Sequence, residues 1–116
     1  IPFVKESLNM GKALQIISTK KLGTLIVQNN KKITTGIITD GQIRRFNGMS
    51  NNLQDMSVKK VMTKNPVSIN QDTLAEKALS IMNAKKITSL CVHKDKNKKK
   101  TVGILHIHNI LQSNIH

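Results

Sequence analysis

The apolar residues of the first third of the chain follow two different spacings. Met10, Ala13, Leu14 and Ile17 recur every three or four positions, which predicts an amphipathic helix with Ser7 or Asn9 as its cap. Short β-rich runs precede and follow this stretch and predict strands. The strands are predicted at residues 2–4, 24–27 and 33–38, with a polar turn at 29–32 and a short helix from 40 to about 46. The order of elements is therefore β-α-β-β-α.

The same order is predicted a second time, after a polar stretch without periodicity at residues 47–56. Leu74, Ala78 and Met82 have helical spacing, and Asp72 or Thr73 is expected to cap their helix. The other predicted elements are a helical turn at 58–62, an extended segment at 63–66, strands at 67–69, 89–92 and 102–105, a charged turn at 94–100 and a helix at 107–113.

An internal repeat underlies this recurrence. Residues 4–27 can be laid on residues 69–92 without a gap, and eight of the aligned pairs are identical. Two extra residues then fall in the charged turn, after which Gly36 meets Gly103. This alignment predicts a first unit at 1–46, a linker at 47–56 and a second unit at 57–116. Because the chain starts inside the first predicted strand, we expect the first unit to be N-terminally truncated.

A net charge of +13 raises the alternative of a basic nucleic-acid-binding module. The positive residues are almost all lysines, and Phe3 and Phe46 are the only aromatic residues. Because base stacking requires aromatic side chains, we favour a solvated lysine-rich surface. No apolar run is long enough to cross a membrane, and the single cysteine, Cys91, is expected to be a buried structural thiol in a reducing, cytoplasmic compartment.

The chain offers little for catalysis. It has six acidic residues, and it contains no paired carboxylates, no Ser–His–Asp pattern and no P-loop. We therefore expect no catalytic residue in this chain.

Two places where an apolar strand runs directly into a helix are the candidate ligand sites. Their polar residues are Thr39, Asp40 and Gln42 in the first unit and His106, His108 and Asn109 in the second. Free N–H groups at a helix N-terminus favour phosphate, so one hypothesis is a pair of equivalent pockets for a phosphorylated or nucleotide-like ligand. The alternative is that Thr39 and Asp40 only cap a helix. His106 and His108 lack further metal ligands nearby, and we expect no metal site.

Several segments resemble those of known families. Val61-Met62-Thr63-Lys64-Asn65-Pro66-Val67 and Gly36-Ile37-Ile38-Thr39-Asp40-Gly41-Gln42 resemble motifs of a CBS-domain pair, and the likeness covers essentially the whole chain. The resemblance implies an α+β fold of two β-α-β-β-α units with pseudo-two-fold symmetry. Lys21-Leu22-Gly23, Thr39-Asp40-Gly41 before Arg44-Arg45, and Lys85-Lys86-Ile87-Thr88-Ser89-Leu90 further resemble the C-terminal part of the arabinose-5-phosphate isomerase family.

This resemblance implies a regulatory, ligand-sensing and oligomerising module. The family interconverts ribulose 5-phosphate and arabinose 5-phosphate for synthesis of the lipopolysaccharide sugar Kdo, and its catalytic sugar-isomerase (SIS) domain precedes the CBS pair. The implied effector is a nucleotide or nucleotide-sugar, and no cofactor is required. We expect self-association to a dimer or larger, because the helix faces at 10–17 and 74–82 should be only partly covered. The alternative is a purely structural dimerisation module without a ligand.

The ligand-binding residues implied by the resemblance lie at the two corners and on the neighbouring strands. They are Leu22, Gly23, Thr24, Thr39, Asp40, Gln42, Thr63, Asn65, Thr88, Ser89, His106, His108 and Asn109. Thr63 and Asn65 are expected to line the second pocket. The family's acidic ribose-binding position falls on Gln42 and Asn109, which carry amides. We expect the second pocket to be the better anion site, because the first has Asp40 where the second has histidines.

Overall fold

The computed structural model describes residues 2–20, 23–39, 41–43, 53–94, 96–97 and 99–107. Contacts between residues divide the chain into two units, unit 1 at Ile1–Asn65 and unit 2 at Pro66–His116. The boundary therefore lies nine residues later than the start of the second sequence repeat at residue 57.

Unit 1 is a four-stranded sheet with a helix on it. Its elements are β1 (Phe3–Lys5), α1 (Met10–Lys20), β2 (Thr24–Gln28), β3 (Thr34–Thr39), a 3₁₀ turn (Leu53–Asp55), α2 (Val58–Val61) and β4 (Thr63–Lys64). The strand order is β1-β2-β3-β4; β1 pairs parallel to β2, and the other neighbours are antiparallel. Residues 41–43, which follow β3 after one residue outside the described ranges, are helical. The predicted β-α-β-β order is confirmed, and the remainder of the helix predicted at 40–46 lies outside the described residues.

Local side-chain chemistry fixes the ends of these elements. Asn9, and not Ser7, caps α1: its Oδ1 accepts a hydrogen bond of 2.9 Å from the N–H of Lys12. Asn29 shapes the turn between β2 and β3, because its Oδ1 accepts from the N–H groups of Lys31 and Ile33 at 2.9 and 3.1 Å. Lys32 completes this turn in the left-handed region, with a φ of 61°.

The segment after residue 52 folds back onto unit 1. The N–H of Val58 donates to the carbonyl of Leu8 at 2.7 Å, and β4 pairs with β3. Part of the predicted linker and the predicted start of the second unit thus pack on the first unit, because their apolar residues complete its core. That core comprises Val4, Met10, Ala13, Ile17, Leu25, Val27, Ile38, Ile43, Leu53, Val58, Val61 and Met62.

Unit 2 repeats the arrangement. Its elements are β5 (Ser68–Asn70), α3 (Ala75–Lys85), β6 (Ser89–His93) and β7 (Thr101–His106), in the strand order β5-β6-β7. The pairing register is the same in both units, down to an irregularity after Val27 in β2 and after Val92 in β6. The internal repeat is therefore a structural repeat. The core of unit 2 is built around Ile69, Ala78, Met82 and Leu90.

The N-terminal end of α3 differs from its prediction. Neither Asp72 nor Thr73 is the cap; Leu74 occupies the N-cap position, and no side chain caps the helix. Asn70 is the physical reason, since its Oδ1 accepts from the N–H of Asp72 at 2.9 Å and its carbonyl from the N–H of Thr73 at 3.0 Å. Residues 70–73 form this turn, so the helix starts after them and Leu74 is 76% exposed.

Two further expectations need correction. Asn65 is not extended ahead of Pro66 but has a φ of 51°, a left-handed conformation that asparagine tolerates. The helix face that includes Met10, Ala13 and Ile17 is not left uncovered, because all three side chains are buried in the core of unit 1. The expected self-association therefore gains no support from this face.

Candidate functional site

The first corner is closed by its own side chains. Thr39, at the end of β3, lies opposite Thr24 of β2. The N–H of Thr39 donates to Oε1 of Gln42 at 2.9 Å, and the N–H of Gln42 donates to Oγ1 of Thr39 at 3.4 Å. This reciprocal pair is a capping box, in which the two residues satisfy the free donors of a helix start. The capping interpretation of Thr39 is thus realised in the structure.

Gln42 also reaches the returning chain. Its Nε2 donates to Oγ1 of Thr63 on β4, and its side chain is buried. Thr63 therefore contacts the first corner, whereas its expected place at the second pocket stays a prediction. The contact arises because β4 extends the sheet of unit 1. Asn65 lies in the same unit, with its N–H donating to the carbonyl of Thr35 at 3.2 Å.

The remaining predicted residues of the first corner are distributed around it. Thr24 is buried beneath the corner, whereas Gly23 is exposed. Leu22 and Asp40 lie outside the described residues. The structure thus brings together Thr24, Thr39, Gln42 and Thr63.

The second corner has the same backbone and different chemistry. Ser89 of β6 lies opposite His106 of β7, as Thr24 lies opposite Thr39 in unit 1. The N–H of Ile107 donates to the carbonyl of Thr88 at 2.8 Å, and the Thr88 side chain is exposed. Directly opposed residues of antiparallel strands project from the same face of the sheet, so Ser89 and His106 share a face. His108 and Asn109 lie outside the described residues.

One polar atom at the second corner is without a partner in the described part of the chain. The Oγ of Ser89 is buried and makes no hydrogen bond there. A buried hydroxyl without a hydrogen bond destabilises the fold, and such groups usually have a partner. The first corner satisfies its polar groups internally, whereas the second presents an unsatisfied hydroxyl.

Comparison with known proteins identifies the family. The CBS-domain family model matches residues 1–47 and 58–115. The chain belongs to the CBS-domain family. The first matched segment nearly coincides with the predicted first unit, and the second starts one residue after the predicted second unit.

Curated relatives and solved structures agree with this family. The arabinose 5-phosphate isomerase KdsD of Francisella tularensis is 41% identical over 114 residues, which are 97% of this chain and 33% of that protein. A CBS-domain protein from Agrobacterium tumefaciens superimposes with a TM-score of 0.88 at 20% identity, covering 98% of this chain and 84% of that one. A CBS-domain protein from Pyrobaculum aerophilum, complexed with AMP, has a TM-score of 0.82 at 15% identity, covering 97% and 88%. The chain spans about a third of the length of the curated relatives it matches.

The sequence did not lead us to predict one buried polar contact, which lies in unit 2. His93, at the end of β6, is 5% exposed, and its Nδ1 lies 2.7 Å from Oγ of Ser68 on β5. The alternation of β6 could have indicated it, because His93 follows Cys91 at the spacing of one strand face. Among the described residues, no group of three His, Cys, Asp or Glu side chains is placed to hold a metal ion. No helix in the described ranges is long and apolar enough to cross a membrane.

The single thiol is buried, as predicted. Cys91 is 1% exposed, and burial raises the pKa of its thiol to about 11, while a side-chain hydrogen bond with Thr101 opposes this effect. A thiolate is the nucleophilic form, so this thiol is unsuited to nucleophilic chemistry at neutral pH.

The raised pKa of Cys91 predicts a loss of stability at high pH. The unfolded chain ionises the thiol near pH 9, whereas the folded chain holds it neutral to about pH 11, so its contribution is complete below pH 9 and disappears between these values. Two pKa units set an upper limit of roughly 2–3 kcal/mol. Urea unfolding at pH 8, 9, 10 and 11 should show a steeper decline for the native chain than for Cys91→Ala. Equal declines in both proteins would contradict the prediction, because the lysines titrate in both.

Proposed function

We propose that this chain is the regulatory, ligand-sensing and oligomerising module of a cytoplasmic arabinose-5-phosphate isomerase. In this proposal the catalytic SIS domain of the parent protein interconverts ribulose 5-phosphate and arabinose 5-phosphate for Kdo and lipopolysaccharide synthesis. The similarity to KdsD over 97% of this chain supports the parent activity. The few carboxylates of the chain support a non-catalytic role for these residues.

The observation that carries the sensing role is the unsatisfied Ser89 hydroxyl at the second corner. A phosphate or ribose hydroxyl could satisfy it, and His106 on the opposing strand is a further polar group on the same face. The first corner is the weaker candidate, because Thr39, Gln42 and Thr63 already bond to one another. The two corners thus support unequal roles, with ligand contact at unit 2 and structural closure at unit 1.

The proposed effector is a nucleotide or a nucleotide-sugar. The AMP complex of the Pyrobaculum aerophilum protein supports this ligand class for the fold. Gln42 stands where the family has a ribose-binding carboxylate, and its amide is engaged in unit 1, which argues against a standard adenosine site at that corner. A nucleotide-sugar made later in the Kdo pathway is our preferred effector, because an end product is a sensible feedback signal.

Self-association is the second part of the proposal. Phe3, Leu74 and Val102 are large apolar side chains that are 40%, 76% and 42% exposed. Exposed apolar groups of this size favour an interface when they are contiguous. Sedimentation velocity over a range of protein concentrations should show a dimer or larger species, and a monomer at high micromolar concentration would contradict this part.

Titration calorimetry with AMP, CMP and a CMP-linked sugar acid tests the sensing role. We expect at least one of them to bind saturably, and the same preparation should not turn over arabinose 5-phosphate. Binding of none would favour the structural dimerisation module. Binding of heteropolymeric RNA that weakens steeply with salt, without any mononucleotide binding, would favour the nucleic-acid alternative instead.

A further inference from the structure

A concave surface in unit 2 corresponds to a surface that unit 1 covers with its own chain. The cavity has a volume of about 450 Å³ and lies against β5, the start of α3, β6 and β7. Its lining includes Gln71, Thr73, Ala75, Gly103 and Ile104. The repeat places these residues at the positions of Glu6, Leu8, Met10, Gly36 and Ile37 in unit 1.

In unit 1 the equivalent surface is occupied by α2 and β4. The N–H groups of Val58 and Lys59 donate to the carbonyls of Leu8 and Glu6 at 2.7 and 3.1 Å. The side chain of Met62 lies directly over Gly36: a Cβ added to Gly36 would stand 3.0 Å from Cβ of Met62 and would overlap its Cγ and Sδ. β4 then pairs with the edge of β3 at Gly36 and Ile37.

In the described residues, apolar side chains of unit 2 are less completely buried than their equivalents in unit 1. Val27 and Ile38 of unit 1 are fully buried, whereas their equivalents Val92 and Leu105 are only partly buried. Val102, which lines the cavity, has an exposed side chain, and so does Leu74, which lies between the lining residues Thr73 and Ala75 in sequence. Among the described strands, β7 has a neighbour on one side only, whereas β3 has one on each side. In the described part of the chain, unit 2 therefore combines an open apolar groove with an edge of β7 along which no described strand lies.

We propose that this groove is a docking site for the stretch of the full-length polypeptide immediately before residue 1. The order of the repeat indicates this occupant. In the described chain, α2 and β4 precede β5, the first strand of unit 2, and they cover the equivalent surface of unit 1. The stretch that precedes β1, the first strand of unit 1, is their counterpart in the repeat. The proposal rests on the proposed function in one respect, namely that the parent chain continues ahead of residue 1. The bound stretch places a large apolar side chain over Gly103 and pairs its following residues with β7.

Hydrogen exchange of the full-length protein, followed by mass spectrometry, tests this docking. The variant replaces with serine every apolar residue among the ten that precede residue 1. Peptides covering residues 101–107 should then exchange at least tenfold faster than in the native protein, because the strand edge and groove become open to solvent. Peptides covering residues 34–39 are the internal control and should not change, since β3 keeps β4 beside it.

A second variant guards against general unfolding of the first. Gly103→Val fills the space over β7 that the docked side chain would occupy, and it changes no residue of the docking stretch itself. It should accelerate exchange over residues 101–107 by a similar factor. Unchanged exchange over these residues in both variants would overturn the proposal. The proposal would also be overturned if protection of residues 101–107 from exchange rose with protein concentration and were the same in the native protein and in both variants. That result would indicate a second copy of the chain as the occupant. Neither measurement uses a nucleotide, so nucleotide binding can fail while docking succeeds, or the reverse.

Discussion

Replacing Gly36 with valine is expected to destabilise unit 1 by about 3 kcal/mol or more, at the upper end of the range for overpacked cores. Gly36 lies on β3 under the side chain of Met62, which is itself 8% exposed. A Cβ at this position would stand 3.0 Å from Cβ of Met62 and would overlap its Cγ and Sδ. Since Cβ of Met62 is fixed by the backbone, the strain can be relieved only by moving α2 and β4 away from the sheet.

Equilibrium unfolding in urea measures this effect, and two variants control it. Gly23→Val is the matched glycine change, because nothing lies within 4 Å of a Cβ built at Gly23 and its φ is not positive. It should change the free energy of unfolding by no more than about 0.5 kcal/mol. Met62→Ala removes Cγ and Sδ, the two atoms that overlap the added Cβ, and leaves only the 3.0 Å contact with Cβ at position 62, so Gly36→Val should cost less in that background. Additive effects of the two changes would show that Met62 is not the obstacle.

The fold was predictable where local pattern and repeat act together. The helical spacing of Met10, Ala13 and Ile17 and the alternation around Gly36 were sufficient to give the element order. The alignment of Gly36 with Gly103 anticipated the shared pairing register, including the two-residue difference in the hairpin turns. A repeat helps because each element is predicted from two different sequences. A wrong prediction in one unit then disagrees with the prediction for the same element in the other unit.

The packing of residues 53–65 could not be predicted in the same way. Leu53 lies in the polar stretch predicted as a linker and Val58 in the helical turn predicted for the second unit, and their burial depends on packing against α1, which is distant in sequence. The start of α3 failed for a local reason. Asp72 and Thr73 are common caps, but their N–H groups donate to the side chain and the carbonyl of Asn70, and this turn moves the start of the helix to a later residue.

The candidate site shows a similar division. Thr39 and Gln42 have the threonine-to-glutamine spacing of a capping box, so their mutual bonds could have been predicted from sequence. The contact of Gln42 with Thr63 could not, because it requires β4 to return to the edge of β3. The unsatisfied hydroxyl of Ser89 is likewise a consequence of burial, which a sequence does not display.

Replacing Ser89 with alanine is expected to weaken nucleotide binding by about 10–100-fold while leaving the fold as stable or more stable. A hydrogen bond to a charged group contributes about 1.5–3 kcal/mol, which corresponds to this loss of affinity. The stability effect has the opposite sign, because alanine removes a buried hydroxyl that has no partner among the described residues. A residue that serves only the fold would not combine these two results.

The first corner supplies the contrasting variant. Thr39→Val removes the oxygen that accepts from the N–H of Gln42, and loss of such a cap costs about 1 kcal/mol. We expect this change to lower the urea midpoint and to leave nucleotide affinity within about twofold, since the corner is closed by its own bonds. His106→Ala should reduce affinity in the same direction as Ser89→Ala, because the two residues lie opposite each other on β6 and β7 and share a face of the sheet. Calorimetry that finds affinity abolished by Thr39→Val and intact in Ser89→Ala and His106→Ala would place the ligand at unit 1 and reverse the assignment of the two corners.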